Sequence, residues 1–168
     1  MEIRYLTEKD DPLKISGIYE SSWKYAYKDI IPGEYLDSIP SGKWADNINK
    51  PEHENLIVTE NGEMIGTASF GRSRWENYSG YGEIISIYFL PEYMGKGYGM
   101  ALLERCTREL SKKGFDRVLL WVLEENVGAR KFYEKCGFVC SGEFMDDSIG
   151  GKDLREVLYL LDINSKDQ

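Results

Sequence analysis

The sequence predicts a mixed α/β protein in which a central β-sheet carries helices on its faces. An Asn61-Gly62 pair joins two apolar runs, and this pair is a strong signal for an antiparallel hairpin. The middle of the chain follows the order strand, helix, strand, and two strands joined in this way are parallel with a right-handed crossover. A second hairpin is predicted around Gly150 and Gly151 near the end of the chain. Both kinds of strand pairing therefore occur in one sheet.

The first helix has a clear N-terminal signal. Asp11 precedes Pro12, and Asp is a favoured N-cap while Pro is favoured in the first helical turn. The helix is predicted to continue to about Tyr27, and a second, short helix should follow at residues 35–39. The strands predicted in this half of the chain cover residues 3–6, 55–60, 64–71 and 83–90.

The second half of the chain is predicted from a change in periodicity. Residues 99–113 place apolar side chains at helical spacing, in a stripe formed by Leu102, Leu103, Cys106 and Leu110. Residues 118–123 form a continuous apolar run, which is typical of a strand buried on both faces. The remaining predicted elements are a helix over residues 127–136, capped by Asn126, and strands over residues 138–144 and 156–161.

Composition and charge restrict the class of protein and its partners. The chain has 168 residues, and we expect a single domain over residues 1–168. Its 29 acidic residues outnumber 21 basic ones, for a net charge of −8, so nucleic acid is not an expected partner. The three cysteines lack metal-ligand spacing, and no metal is expected. Without a leader or an apolar run of ~18 residues, we expect a cytoplasmic protein that does not enter a membrane.

A glycine-rich turn, Gly95-Lys96-Gly97-Tyr98-Gly99, lies between a predicted strand and a predicted helix. Three alternating glycines at a helix start are costly unless the backbone must approach another group closely. Because a helix N-terminus offers unpaired N–H groups and the positive end of the helix dipole, the turn is expected to bind an anion such as pyrophosphate. The alternative is a flexible entry into the helix.

Two other phosphate-binding motifs are absent from this segment. The P-loop requires Gly-Lys-Ser/Thr after a four-residue gap, which does not occur. The dinucleotide fingerprint Gly-x-Gly-x-x-Gly needs a glycine where the chain has Met100 or Leu102. The turn therefore belongs to neither class of nucleotide-binding loop.

At this turn the sequence resembles the GNAT N-acetyltransferase superfamily. The family's main motif is a strand, then Pro, then Arg/Gln-x-x-Gly-x-Gly/Ala, and here the strand is Ile87-Tyr88-Phe89-Leu90-Pro91 followed by Met94 to Gly99. A second motif comprises Asn126, Ala129 and Phe132-Tyr133-Glu134-Lys135-Cys136-Gly137-Phe138. The two motifs occur in the family's order and separation.

The resemblance extends over roughly residues 3–161 and is most specific over residues 83–138. The stretch Ser22-Trp23-Lys24-Tyr25 is similar to small bacterial members of the family. One position departs from the pattern, because Met94 stands where the family has Arg or Gln. Backbone N–H groups, which Met also supplies, provide most of the phosphate contacts, so cofactor binding is expected to survive.

The resemblance implies a fold and a cosubstrate. The fold is a mostly antiparallel sheet with a parallel strand pair that splays apart at the cofactor site, and the cosubstrate is acetyl-CoA. Ile87, Tyr88 and Phe89 would pair their backbone with the pantetheine arm, as an added strand does, and Asn126 would bond it with its side chain. The residues implied for the pyrophosphate are Gly95, Lys96, Gly97, Tyr98, Gly99 and Met100.

The resemblance also implies catalytic groups for transfer of acetyl to a primary amine in a ternary complex. Tyr133 is expected to protonate the leaving thiolate, since a phenol is a proton donor. Glu83 is the candidate base for the ammonium, and a water chain is the alternative. Ribosomal-protein acetyltransferases use a glutamate five residues before the asparagine, but that position here is Trp121, so this role is not assigned.

The acceptor is not identified by the sequence. A small-molecule amine, a protein N-terminus and a lysine all remain candidates, and the alternative function is a non-catalytic module that senses acyl-CoA. Family members are often dimers, which leaves a homodimer open. The aromatic residues expected to line the acceptor pocket are Trp23, Tyr27, Tyr35 and Trp75.

Overall fold

A computed structural model describes residues 1–167, which contain one seven-stranded sheet and four α-helices. The strands are β1 (Glu2–Tyr5), β2 (Glu54–Glu60), β3 (Glu63–Arg72), β4 (Gly82–Phe89), β5 (Arg117–Leu123), β6 (Val139–Ile149) and β7 (Lys152–Asp162). The helices are α1 (Pro12–Ala26), α2 (Gly33–Ser38), α3 (Tyr98–Lys112) and α4 (Val127–Lys135). None of these helices is both long and apolar enough to cross a membrane.

The sheet is mixed, as the sequence predicts. Its strand order is β1-β2-β3-β4-β5-β7-β6, and every neighbouring pair is antiparallel except β4 with β5. The β2–β3 hairpin turns at Asn61 and Gly62, whose φ angles of 50° and 82° suit a tight two-residue turn. The parallel pair is connected through α3, which is the predicted strand-helix-strand unit.

Helices cover both faces of the sheet because alternate strand residues point to opposite sides. Val58 belongs to the larger core, which also contains the predicted stripe of α3, including Leu102 and Leu110. The adjacent Ile57 packs instead with Ile15 of α1 on the other face. We call these the α3/α4 face and the α1/α2 face.

The closing hairpin is longer than the sequence predicts. Strands β6 and β7 have 11 residues each and meet at Gly150 and Gly151, both with positive φ. Strand β6 lies at the edge of the sheet and is mostly exposed. Its outer half therefore lacks the apolar alternation that would have marked it as a strand. Helix α2 also begins earlier than predicted, at Gly33.

The parallel strands separate soon after they meet. Strands β4 and β5 pair only at Gly82 with Val118 and at Glu83 with Leu119. Beyond this point β4 continues along β3 as far as Phe89, and β5 continues along β7. The middle of the sheet consequently contains a wedge-shaped gap.

Candidate functional site

The gap between β4 and β5 opens into a cavity of about 770 Å³. Residues 85–89 of β4 form one wall and residues 121–123 of β5 form the other. The start of α3 and one side of α4 close the cavity on the α3/α4 face, while the end of α1 borders it on the other face. The cavity therefore extends through the sheet, with lining residues from both faces.

A β-bulge shapes the β4 wall. Ser69 of β3 pairs with Ser86, but the next residue, Phe70, pairs with Ile84, so Ile85 is an extra residue. A bulge bends its strand and leaves backbone groups without a partner across the ladder. Because Ile85 also lines the cavity, the bulge lies at the point where the two parallel strands part.

The glycine-rich turn adopts the conformation expected of an anion site. Gly95 and Gly97 have φ angles of 71° and 88°, a region that side chains with a Cβ rarely adopt. Gly97 is the N-cap residue of α3 and provides no side-chain cap, whereas Asp11 caps α1 and Asn126 caps α4. The first N–H groups of α3 are thus available to a ligand at the cavity, which suits a phosphate group.

The third glycine of the turn has a packing role. A Cβ on Gly99 would lie 3.3 Å from Cζ of Phe132 in α4. Glycine at this position lets α3 and α4 approach each other beside the cavity.

Most residues predicted to contact the cofactor do line this cavity. They are Ile87, Tyr88, Phe89, Gly95, Gly97, Gly99, Met100 and Asn126. Lys96 and Tyr98 are not among the lining residues: the Lys96 ammonium lies 5.5 Å from the Tyr93 ring, and the Tyr98 ring stacks on Phe89. Their backbone N–H groups lie in the turn and at the start of α3.

Asn126 has one side-chain atom engaged and one available. Its Oδ1 accepts a hydrogen bond from the Ala129 backbone at 3.2 Å, which caps α4. Within the described residues, its Nδ2 donates to no other group. The amide can therefore cap the helix and still donate to a ligand in the cavity.

Tyr133 reaches the cavity from α4. Its ring packs between Phe132 and Phe138, and its remaining exposure faces the cavity. Burial raises the pKa of the Tyr133 hydroxyl above its ordinary value, with smaller contributions from Tyr88 and Cys136. The phenol therefore keeps its proton at neutral pH and can act as a donor.

Glu83 is almost fully buried, with 1% of its surface exposed, and it does not line the cavity. Arg74 donates three hydrogen bonds to its carboxylate, from the backbone N and Nε at 3.1 Å and from Nη2 at 2.9 Å. The indole of Trp75 donates a fourth at 3.2 Å. All the observed contacts of this carboxylate come from the loop after β3.

The four aromatic residues predicted for the acceptor pocket divide into two pairs. Trp23 and Tyr27 line the cavity, and the Trp23 indole donates to the Tyr88 hydroxyl at 3.1 Å. Tyr35 and Trp75 are outside the lining. Tyr35 packs against the β6–β7 turn, and Trp75 lies 5.4 Å from Trp121, a residue of the cavity wall.

Glu156, a carboxylate of β7, lines the cavity but was not among the site residues predicted from the sequence. It is half-buried, and within the described residues its oxygens accept no hydrogen bond. Burial raises its pKa; Asp147 raises it further, while Arg74 opposes the shift. A signal was available in the sequence, because Glu156 stands between Leu154 and Leu158 on an otherwise apolar face of its strand.

The sequence profile described as the acetyltransferase (GNAT) family matches residues 15–138. The chain is 34% identical over 119 residues to an uncharacterised N-acetyltransferase of Bacillus subtilis, covering 70% of this chain and 69% of the relative. It is 28% identical over 142 residues to a spermidine N(1)-acetyltransferase of Thermoplasma acidophilum, covering 82% and 88%. The structure of the PaiA N-acetyltransferase of T. acidophilum with coenzyme A matches with a TM-score of 0.76 and 24% identity, covering 96% and 98%.

Proposed function

The chain belongs to the acetyltransferase (GNAT) family and is an N-acetyltransferase with acetyl-CoA as cosubstrate; on this premise we propose that it passes the acetyl group directly to a primary amine in a ternary complex. The cavity through the sheet is the observation that carries this proposal. A cosubstrate entering from the α3/α4 face and an acceptor entering from the α1/α2 face would meet in the gap between β4 and β5. Such positioning makes a covalent acetyl-enzyme unnecessary.

Several features of the chain fit the parts of acetyl-CoA. The uncapped start of α3, with Gly95 and Gly97 in the left-handed region, suits the pyrophosphate. The free edge of β4 over residues 87–89 suits the amide groups of the pantetheine arm, which would pair as an added strand. The available Nδ2 of Asn126 can donate to the same arm from the opposite wall.

The reaction requires three proton transfers in addition to the exchange of a C–S bond for a C–N bond. The acceptor ammonium loses a proton, and the nitrogen lone pair then attacks the thioester carbon. The carbonyl oxygen gains negative charge during attack, and backbone N–H groups near the β4 bulge are suitable donors to it. The C–S bond breaks and the thiolate takes a proton from an acid of the enzyme. The second proton of the nitrogen then restores that acid, directly or through water, and leaves a neutral amide.

Tyr133 is proposed to protonate the thiolate. Its hydroxyl faces the cavity from α4 and remains neutral at physiological pH because burial raises its pKa. Glu83, predicted from the resemblance as the base, could reach the acceptor only through water, since Arg74 and Trp75 occupy its carboxylate. We propose instead that Glu83 positions the loop that carries Trp75 against Trp121.

A primary amine is the proposed acceptor class. The one relative described above whose name states an acceptor acetylates spermidine, which is an amine. The net charge of −8 is compatible with attraction of a cation. Both observations support an amine as the acceptor.

The decisive experiment measures thiol release from acetyl-CoA with a panel of primary amines, with mass spectrometry of the products. Intersecting initial-rate plots and the absence of an acetylated enzyme are expected for a ternary complex. Replacing Tyr133 with Phe is expected to lower kcat by about 100-fold or more, with acetyl-CoA affinity nearly unchanged. Unchanged turnover in this variant would remove the assignment of Tyr133, while parallel rate plots with an acetyl-enzyme would refute direct transfer.

The variant Glu83→Gln tests whether Glu83 removes the proton from the acceptor ammonium. If Glu83 only positions the loop, the variant should lose thermal stability and retain the acidic limb of the pH–rate profile. Loss of that limb would instead assign proton removal to Glu83.

A further inference from the structure

One carboxylate faces the cavity on the side of the sheet where an acceptor would enter. Among the described lining residues Glu156 is the only acidic side chain. It pairs across the β5–β7 ladder with Leu123, two residues from the pair formed by Trp121 and Leu158. Leu123 and Leu154 pack in the α1/α2 core, so Glu156 projects from the same face of the sheet.

Glu156 is surrounded by aromatic side chains that also carry polar groups. The hydroxyls of Tyr27 and Tyr88 are close enough for the Glu156 charge to affect both of their pKa values. The indole Nε1 of Trp121 is buried and has no hydrogen-bond partner. An ammonium beside Glu156 would therefore meet one carboxylate, phenol oxygens and aromatic faces, and these are groups that bind cations in proteins.

The local balance of charge also favours a cation. Two carboxylates, Glu156 and Asp147, interact electrostatically with each other in this region. Arg74 is the cation that lowers the pKa of Glu156, and its guanidinium is engaged with Glu83 at 2.9 Å. Lys28 also lines the cavity, from the segment after α1. Next to Glu156 itself, two carboxylates face one guanidinium that is already paired, so an acceptor carboxylate placed there would be repelled.

We propose that Glu156 binds the ammonium of the acceptor and accepts its proton, and that the preferred acceptors are amines without a carboxylate on the carbon next to nitrogen. This inference rests on the proposed transfer of acetyl to a primary amine. The proton leaves nitrogen for a Glu156 oxygen, and the resulting lone pair attacks the thioester carbon. The carboxylic acid then returns its proton to water after the amide product departs.

The first test compares amines that differ only in one carboxylate. Tyramine with tyrosine, phenethylamine with phenylalanine and isoamylamine with leucine are suitable pairs, because each molecule has a single amino group. We expect kcat/KM to be at least about tenfold higher for the decarboxylated member of each pair, which is the size of effect that one repelled charge near a partly buried carboxylate produces. Equal values, or a preference for the amino acids, would overturn the proposed selectivity.

The second test replaces Glu156 with Gln, which preserves shape and removes the charge. We expect kcat/KM for cadaverine to fall by about 100-fold or more, because the variant affects both ammonium binding and proton removal. The matched control is Asp153→Asn, which removes a charge from an exposed position of the same strand. Wild-type kinetics are expected for this control.

The pH profile separates a role in proton transfer from a purely structural role. The wild-type enzyme should show an acidic limb that Glu156→Gln lacks. The groups that interact electrostatically with Glu156 are Asp147 of β6, Arg74 of the loop after β3, Tyr27 at the end of α1 and Tyr88 of β4. Lys28, from the segment after α1, lines the same cavity. Asp147→Asn should therefore shift the limb to lower pH without abolishing it.

A measurement of amine binding separates the ammonium site at Glu156 from the proposed acetyl transfer. Calorimetry of cadaverine with the enzyme and CoA, which carries no acetyl group, should show binding to wild type and little to Glu156→Gln. If amines bind through Glu156 but no amine is acetylated, the proposed function fails and the ammonium site stands. If amines are acetylated equally well by Glu156→Gln, the proposed function stands and this inference is refuted.

Discussion

Glu109 is buried and Glu156 is half-buried, yet their surroundings shift their pKa values in opposite directions. Glu109 of α3 accepts hydrogen bonds from Arg105 at 2.8 Å, Tyr5 at 2.9 Å and Lys112 at 3.1 Å. These partners, Arg105 foremost, lower its pKa from 4.5 to about 2. Glu156 has no comparable partner, so burial raises its pKa. The first carboxylate is arranged to stabilise the fold, and the second is left available to a ligand.

The role of Glu109 predicts a specific dependence of stability on pH. A carboxylate whose pKa is lower in the folded state contributes fully above its unfolded pKa and loses that contribution as pH falls through the folded value. Glu109→Gln should therefore lower the free energy of unfolding by about 1–3 kcal/mol at pH 7, a range already reduced for solvent screening of the exposed Lys112 and the half-buried Arg105. The difference from wild type should shrink between about pH 4.5 and about pH 2.

Denaturant unfolding over this pH range provides the measurement, with Glu104→Gln as control. Glu104 is an exposed acidic residue of the same helix and has no ion pair among the described residues. Its replacement should change stability by less than about 0.5 kcal/mol at each pH. A constant difference between wild type and Glu109→Gln across the range would contradict the assigned role.

Individual functional residues were predictable only where a local pattern marks them. Tyr133 and Asn126 stand at fixed positions in a motif, and both line the cavity. The sequence marks Glu156 as a charge on an apolar strand face, but its position in the cavity depends on where β4 and β5 separate, which no short pattern predicts. Glu83 illustrates the opposite case: its position on the strand was predictable, but its contacts with Arg74 and Trp75 depend on a loop without a repeating pattern.

At the scale of secondary structure, most elements follow from short-range rules. The Asn61-Gly62 turn, the Asp11 cap and the apolar stripe of α3 each correspond to one observed element. The outer part of the β6–β7 hairpin does not, since an exposed edge strand needs no apolar alternation to form its ladder. The point at which β4 and β5 separate is likewise a property of the sheet, and the β4 bulge that accompanies it has no short sequence signal.

The start of α3 is the element whose conformation bears most directly on cosubstrate binding. Replacing Gly97 with Ala would put a Cβ on a residue with φ of 88°, at a cost of roughly 1–2 kcal/mol. Shifting the backbone to relieve this strain would turn N–H groups away from the pyrophosphate. We expect KM for acetyl-CoA to rise about tenfold or more, since hydrogen bonds to charged groups are lost, with a smaller change in kcat.

Gly17→Ala is the matched control for this substitution. Gly17 lies inside α1, has no positive φ, and an added Cβ would meet no atom within 4 Å. Since Ala is favoured over Gly in a helix interior, this variant should gain up to about 1 kcal/mol of stability and keep the wild-type KM. A Gly97→Ala enzyme with unchanged KM for acetyl-CoA would argue against the turn as the pyrophosphate site.

At the scale of the whole molecule, the sheet consists of two parts joined by a short parallel ladder. One part is β1 to β4 and the other is β5, β7 and β6, with only two residue pairs between β4 and β5. The bound cosubstrate is proposed to lie between them and to pair with β4. Binding should therefore protect the free edge of β4 more than it protects remote strands.

Hydrogen exchange followed by mass spectrometry or NMR tests this expectation. Alternate amides of residues 85–89 point away from β3 and have no strand partner, so they should exchange readily in the free enzyme. At acetyl-CoA concentrations about 100 times Kd, their exchange should slow by up to about 100-fold, because opening then requires release of the ligand. The amides of β1, at the far edge of the sheet, should change little. Equal slowing in every strand would instead indicate a general stabilisation, and protection of β1 without β4 would place the cosubstrate elsewhere.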